Sequence, residues 1–272
     1  MSAADHYQAL VDAVQAQRAR LVAPQTENGR WDRMAKQFRM DPRRELDANL
    51  AAVAALIQPG DSVLDIGGGA GRVSLPLARH CREVVDVEPS PGMCAEFAES
   101  AAEAGITNAR TLQSAWPATG ISGDVTLVFN VTYFVREIVP FVEALLAAAR
   151  RRVIIGVWSV PPPNAAAELF KAAFGEEQEL APGHAELLAV LWEMGVLPDV
   201  HVLPGDFPLP QPPLATEDEA VRFYLGTLQP IDEPAAEERI RANFDRLFTR
   251  NEKGFLPAWR SHNREMLITW EP

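Results

Sequence analysis

The chain has 272 residues, 47% hydrophobic and 23% charged, the balance of a globular protein able to bury a core. A formal net charge of -12 and a pI near 4.9 oppose phosphodiester backbones and anionic membranes, so nucleic acid and membrane surfaces are disfavoured as partners. No apolar run nears the roughly 20 residues needed to span a bilayer. Two cysteines, Cys81 and Cys94, make neither a disulfide framework nor a zinc pattern, and no metal is expected.

Residues 3–20 place apolar side chains at helical spacing and lack the basic-then-apolar order of a secretory leader, so a cytoplasmic location is the expectation. Asn28 to Arg30 break the chain, and "WDRMAKQF" from Trp31 resumes a helical pattern. Asp41 reads as an N-cap and Pro42 as the first turn of a helix that stops before Pro59-Gly60.

From Ser62 the texture alternates. "SVLDI", "EVVDV", "ARTLQ", "DVTLVFN" and "RRVIIGVW" read as strands, separated by the helical stretches "RVSLPLARH", "GMCAEFAESAAEA" and "VPFVEALLAAAR". Pro76 should kink the first of these helices. The arginines Arg150 to Arg152 read as a helix end facing the negative pole of the dipole. After Trp158 helices are expected near 164–174, 183–195, 216–228 and 233–250, with strands at Asp199–Leu203 and in the terminal "EMLITWEP". A proline-rich stretch beginning at Gly205 reads as exposed. The fold class is therefore α/β, a Rossmann-like, doubly wound, mostly parallel sheet. The expected plan is an N-terminal helical cap over 1–58, a core over 59–160, and a helical lobe with final strands over 161–272. The C-terminal strand is expected to join antiparallel.

The stretch "VLDIGGGAGR" joins the first strand to its helix. Ligands of open α/β sheets bind at the carboxyl ends of strands where the strand order reverses, and this loop lies there. Glycines let the backbone turn sharply and meet a ligand, and free N–H groups at the helix start favour an anionic ligand group. The dinucleotide spacing G-x-G-x-x-G fails here, which disfavours a nicotinamide-dependent oxidoreductase. The spacing acid-x-G-x-G-x-G is met by Asp65, Gly67, Gly69 and Gly71, with Gly68 between them. Glu88 ends the second strand, 17 residues beyond Gly71, where a carboxylate can accept both hydroxyls of a ribose. Asp86 is its rival, on the same face but deeper in the strand.

These motifs resemble those of the class I S-adenosylmethionine-dependent methyltransferases, firmly over 60–160. The glycine loop is similar to the family's first motif, and "EPSPGM", with Glu88 and Pro89, to its second. The resemblance implies S-adenosyl-L-methionine as cofactor and S-adenosyl-L-homocysteine as product. It implies that Ser114, Ala115 and Trp116 flank the adenine, although the acid usual there is missing. Trp116 has two roles open, stacking on the base or filling the core. Asn130, ending the fourth strand, should face the methyl donor. The family's members acting on nucleic-acid amines carry prolines after this position, and Asn130-Val131-Thr132-Tyr133 does not. Trp31, Phe38 and Arg39 are candidates to cover the donor, with core packing the alternative for both aromatics.

The implied activity is methyl transfer to an O, N or S atom of a small-molecule acceptor. Tyr133 and Trp158 are candidate aromatic faces near the sulfonium. Tyr133 and His184 are the candidate catalytic groups; the alternative for His184 is a solvent-facing residue at a helix start. Without an evident base, a non-catalytic adenosyl-ligand sensor or scaffold on the same fold is the alternative function. A monomer or homodimer is expected.

Overall fold

The five residues of β1 (Ser62–Ile66) are all buried, as a strand covered on both faces requires. The computed structural model describes residues 1–24, 29–205, 214–259 and 263–272. Ahead of β1 lie α1 (Ala3–Leu21), α2 (Gly29–Met34) and α3 (Ala48–Ala54). Beyond it run α4 (Ser74–Leu77), β2 (Glu83–Glu88), α5 (Pro91–Glu103), β3 (Ala109–Gln113), β4 (Gly123–Phe129), α6 (Ile138–Ala148) and β5 (Ala149–Trp158). Then come α7 (Ala167–Phe174), α8 (His184–Glu193), β6 (Asp199–Val202), α9 (Glu217–Leu228), α10 (Glu233–Ala242) and α11 (Phe244–Leu247). A hairpin of β7 (Phe248–Asn251) and β8 (Gly254–Pro257) precedes β9 (Glu265–Trp270).

The main sheet has seven strands in the order β3-β2-β1-β4-β5-β9-β6. β1 pairs in parallel with both β2 and β4, so the strand order reverses there and opens a crevice above β1 and β4. β9 runs antiparallel to β5 and to β6, as expected for the terminal strand. Apolar side chains alternate between two cores. Leu64, Ile66, Val128 and Ile155 pack with Tyr7, Phe141, Val142 and Leu187, from α1, α6 and α8. Val63, Val84, Val125, Ile154 and Leu267 pack with Leu50, Leu75 and Phe97, from α3, α4 and α5. A third cluster joins α7, α9, α10, α11 and the hairpin through Leu169, Tyr224, Ile240, Phe244 and Phe248. No helix among the described residues is long and apolar enough to cross a membrane.

Several local expectations are corrected. Asp41 does not cap a helix. Its carboxylate accepts the backbone N–H of Arg43 and pairs with that guanidinium at 2.9 Å, so the turn closes on itself. The helix starts later, where Asp47 accepts the N–H of Leu50 at 2.9 Å and the apolar periodicity meets the sheet. Arg150 to Arg152 are not a helix end, because α6 stops at Ala148 and the three arginines open β5. They pair instead with Asp124, Asp61 and Glu271. The helix containing Pro76 shrinks to α4 followed by a short 3-10 turn, since proline removes a ladder donor. The helix expected over 233–250 breaks at Asn243, and Phe248 onward forms the β7–β8 hairpin instead. Residues 206–213 of the proline-rich stretch lie outside the described residues.

Gly156 of β5 lies beside Phe129 of β4, whose ring covers it. A Cβ at Gly156 would stand 2.3 Å from that ring. Gly156→Ala is therefore expected to destabilise the protein by about 1–3 kcal/mol through overpacking, read by denaturant unfolding. A variant as stable as the wild type would show that Phe129 moves aside freely.

Candidate active site

The glycine loop is shaped partly by the protein itself. Gly71 has φ +77, and a Cβ there would meet Leu75 at 2.5 Å and Phe97 at 2.8 Å. At Gly68 a Cβ would lie 2.1 Å from a carboxylate oxygen of Asp65 and 2.8 Å from one of Asp86. At Gly67 it would meet Val131 at 2.7 Å. Gly69 differs: its nearest neighbour would be Met93 Sδ at 3.4 Å, an ordinary contact. Three glycines are thus removed from the path of neighbouring protein atoms, and Gly69 presents open backbone to the crevice.

Asp65 and Asp86 face one another across the β1–β2 pairing. Both are fully buried. Asp86 accepts the Gly68 N–H at 3.1 Å and the Thr111 hydroxyl at 3.0 Å. Neither oxygen of Asp65 makes a hydrogen bond of good geometry among the described residues, although the Ser74 hydroxyl faces it. Burial pushes both acids above the ordinary carboxylate range. The charges of Asp65 and Glu88 add to the rise at Asp86; at Asp65 the Ser74 hydroxyl opposes it.

Glu88 sits two residues beyond Asp86, at the crevice rim. Its two oxygens accept backbone N–H groups from Gly69 at 3.2 Å and Ser90 at 2.8 Å. Each oxygen keeps a free lone pair, so the carboxylate is held rigid with two acceptor positions left. Burial raises its pKa, and the two backbone donors oppose that rise.

The N-terminal segment closes over this rim. Trp31 and Phe38 pack on Ala35, Ala70 and Met93, between α2 and the glycine loop. Asp32, which no sequence pattern marked, accepts the Ser90 hydroxyl at 2.6 Å and the Gly92 N–H at 3.0 Å, clamping α2 to the start of α5. Arg39 lies farther along α5, where it pairs with Glu96, Glu99 and Glu103. Trp31 also meets Phe134, ring centroids 5.6 Å apart, and so bridges the cap to the segment after β4.

On the other side of Glu88, the Ser114 N–H donates to the Glu88 carbonyl at 3.1 Å, which places Ser114 and Ala115 beside Pro89 and the rim. The Ser114 hydroxyl turns to the Ala115 carbonyl. Trp116 packs against the α6 side of the core and donates its indole N–H to the Phe141 carbonyl at 3.4 Å. The ring is partly buried and rests on the core.

Asn130 follows β4 with a left-handed φ of +62, a conformation asparagine tolerates. Tyr133 is buried, and its hydroxyl accepts the Trp158 N–H at 2.5 Å while donating to Asn130 Oδ1 at 3.2 Å. Burial pushes its pKa up, so the phenol keeps its proton and ties the end of β5 to Asn130. His184 opens α8, and no hydrogen bond among the described residues joins it to the glycine loop or to Asn130. His262 lies outside the described residues. No cluster of three or more metal-binding side chains occurs among the described residues.

Residues 63–153 match the family described as a methyltransferase domain. An uncharacterized protein of Haemophilus influenzae is 26% identical over 219 residues, 79% of this chain and 77% of that one. The 23S rRNA (uracil(1939)-C(5))-methyltransferase RlmD of Stenotrophomonas maltophilia is 43% identical over 63 residues, 22% of this chain; the chain spans 14% of that protein's length. Among solved structures, a SAM-dependent methyltransferase from Thiobacillus denitrificans in complex with S-adenosyl-L-homocysteine shares the fold. Its TM-score is 0.50 at 15% identity, covering 91% of this chain and 98% of that one. The region that matches the methyltransferase-domain family thus spans β1 to β5 and holds the glycine loop and Glu88 at its switch point.

Proposed function

We propose that this protein transfers a methyl group from S-adenosyl-L-methionine to a small-molecule acceptor. The observation that carries the reading is the Glu88 carboxylate, fixed by the Gly69 and Ser90 N–H groups with one acceptor position left on each oxygen. Two vicinal hydroxyls of a ribose match that arrangement. The open backbone of Gly69 would take the adjoining part of the ligand.

The acids behind the loop fit the charge of the donor. Asp65 and Asp86 form a buried acid pair that holds protons in the ligand-free fold, with acceptor capacity left at Asp65. A ligand bearing an ammonium and a sulfonium supplies the missing positive charge nearby. When bound, the donor supplies a methyl carbon already activated by its sulfonium. The chain's part is to hold donor and acceptor in line, an effect worth about 7–11 kcal/mol, and to keep water out. Trp31, Phe38 and the Asp32 clamp are placed for the second task.

A small acceptor fits better than RNA. The net charge of -12 repels a polyanion, and the sequence shared with the rRNA enzyme ends after 63 residues.

Two outcomes are expected. Glu88→Ala should weaken S-adenosyl-L-homocysteine binding by about 10- to 100-fold in isothermal titration, the cost of hydrogen bonds to a charged group. Unchanged affinity would remove Glu88 from the site. The second concerns the buried acids, which hold protons longer in the folded state than in the unfolded chain. The ligand-free protein therefore loses stability as pH rises from the ordinary carboxylate range through the raised folded values. Asp65→Asn should flatten that loss in denaturant unfolding across a pH series, and equal slopes in both proteins would contradict it.

A further inference from the structure

A second buried carboxylate stands at the same end of the sheet as the donor residues, and the donor reading leaves it unused. Glu265 is the first residue of β9 and pairs with Trp158, the last residue of β5. Because β9 runs antiparallel, its start lies at the carboxyl ends of the parallel strands. Glu265 is two residues before Leu267, which packs among Val63, Val84 and Ile154. It therefore points to the sheet face that also carries Asp65 and Asp86. Glu265 is 3% exposed, and its Oε2 accepts the Asn49 amide of α3 at 3.2 Å. The charged groups facing it are Arg72, from the end of the glycine loop, and Asp47, ahead of α3. The Asn130 amide interacts with it as well and, like Asn49, favours its charged form.

Asn130 is the second half of the argument. Tyr133 has one hydroxyl proton. Its oxygen already accepts the Trp158 N–H, so that proton goes to Asn130 Oδ1. This fixes the amide's orientation and leaves Nδ2 as the free end. Asn130 Nδ2 is buried and makes no hydrogen bond of good geometry among the described residues, its interaction with Glu265 being a looser one. An under-satisfied donor thus stands near a buried acceptor, beside the strand end that faces the crevice. A buried polar group without a partner is expensive, and a bound ligand group relieves it.

We propose that Asn130 and Glu265 form the acceptor clamp of this enzyme and that the group they hold is a hydroxyl. This rests on the donor reading above. A hydroxyl donates its one proton to Glu265, accepts Nδ2–H on one lone pair, and attacks with the other. A neutral amine has a single lone pair, which Nδ2–H would occupy. An ammonium has none, a carboxylate or phosphate is repelled by Glu265, and a thiol accepts hydrogen bonds weakly. In the step, a bond forms between the hydroxyl oxygen and the methyl carbon while the methyl–sulfur bond breaks, its electron pair remaining on sulfur. The hydroxyl proton passes to the Glu265 carboxylate and leaves to water with the product. Burial raises the affinity of Glu265 for a proton, in the sense such a base needs. Tyr133 is a positioning residue that acts through Asn130.

The test uses the full chain loaded with S-adenosyl-L-homocysteine. Phe134, 41% exposed and stacked edge-on to Trp31, offers an apolar wall, so the probes share one benzyl frame: benzyl alcohol, benzylamine and benzyl mercaptan. Saturation-transfer NMR should rank the alcohol tightest, by about tenfold or more over the others. With S-adenosyl-L-methionine, benzyl alcohol should be methylated. Glu265→Gln should cut that turnover by about 100-fold while leaving S-adenosyl-L-homocysteine affinity and the melting temperature near wild type. Asn130→Asp, which replaces the donor by a second carboxylate, should weaken the alcohol without improving the amine. No binding or methylation of the alcohol, preference for amine or thiol, or full turnover by Glu265→Gln each overturns the clamp. Failure of S-adenosyl-L-homocysteine itself to bind would strike the donor reading instead.

Discussion

The structure around the site depends on two carboxylates placed side by side where the strand order reverses. Asp65 and Asp86 are paired in register on adjacent parallel strands, so both point to one face with no room to separate. Removing them from water costs free energy, and the loop above is built around that cost. Gly68 lacks a Cβ because both carboxylates occupy the space, and its N–H satisfies Asp86. The next N–H, from Gly69, turns outward to Glu88. The glycine run is therefore a backbone folded over a buried acid pair, and its opening narrows to Gly69.

That arrangement couples binding to the stability of the core. Gly71 packs tightly on Leu75 and Phe97, so the loop cannot shift without disturbing the core beneath α4 and α5. Asp32 ties the cap to the Ser90 hydroxyl, which also accepts the Met93 N–H and so caps α5. One hydroxyl thus serves the helix and the lid together. The third core, under α9 and α10, has its own aromatic cluster, separate from the two cores that flank the main sheet.

Much of this was legible in the sequence because it is periodic or local. Four strands of the parallel core announced themselves by β-branched runs, β3 with its lone Thr111 more weakly, and the loop by its glycine spacing. What was hidden depends on distance. The Asp32 clamp joins residues 58 apart, and a single exposed acid on a short helix leaves no pattern. The arginines of β5 looked like a helix end because their partners, Asp61, Asp124 and Glu271, are far away in sequence. Asp41 followed by proline carries a cap signal, but Arg43 competes for the carboxylate, and the stronger local pair prevails. The β7–β8 hairpin was missed because its first strand lies at the end of the helix expected over 233–250; tertiary contact of Phe248 with Tyr224 and Phe244 decides otherwise.

The direction of the last strand carries the greatest functional weight among these non-local features. A parallel β9 would deliver Trp270 to the carboxyl ends of the sheet and bury Glu265 at the far end. Running antiparallel between β5 and β6, it brings Glu265 level with Trp158, whose N–H is held by the same tyrosine that orients Asn130. The donor half of the crevice is thus built by β1 and β2, early in the chain. Its opposite wall waits for residue 265 of 272. In the proposed clamp both walls converge on one methyl group, so the acceptor side is complete only with β9 in its place between β5 and β6.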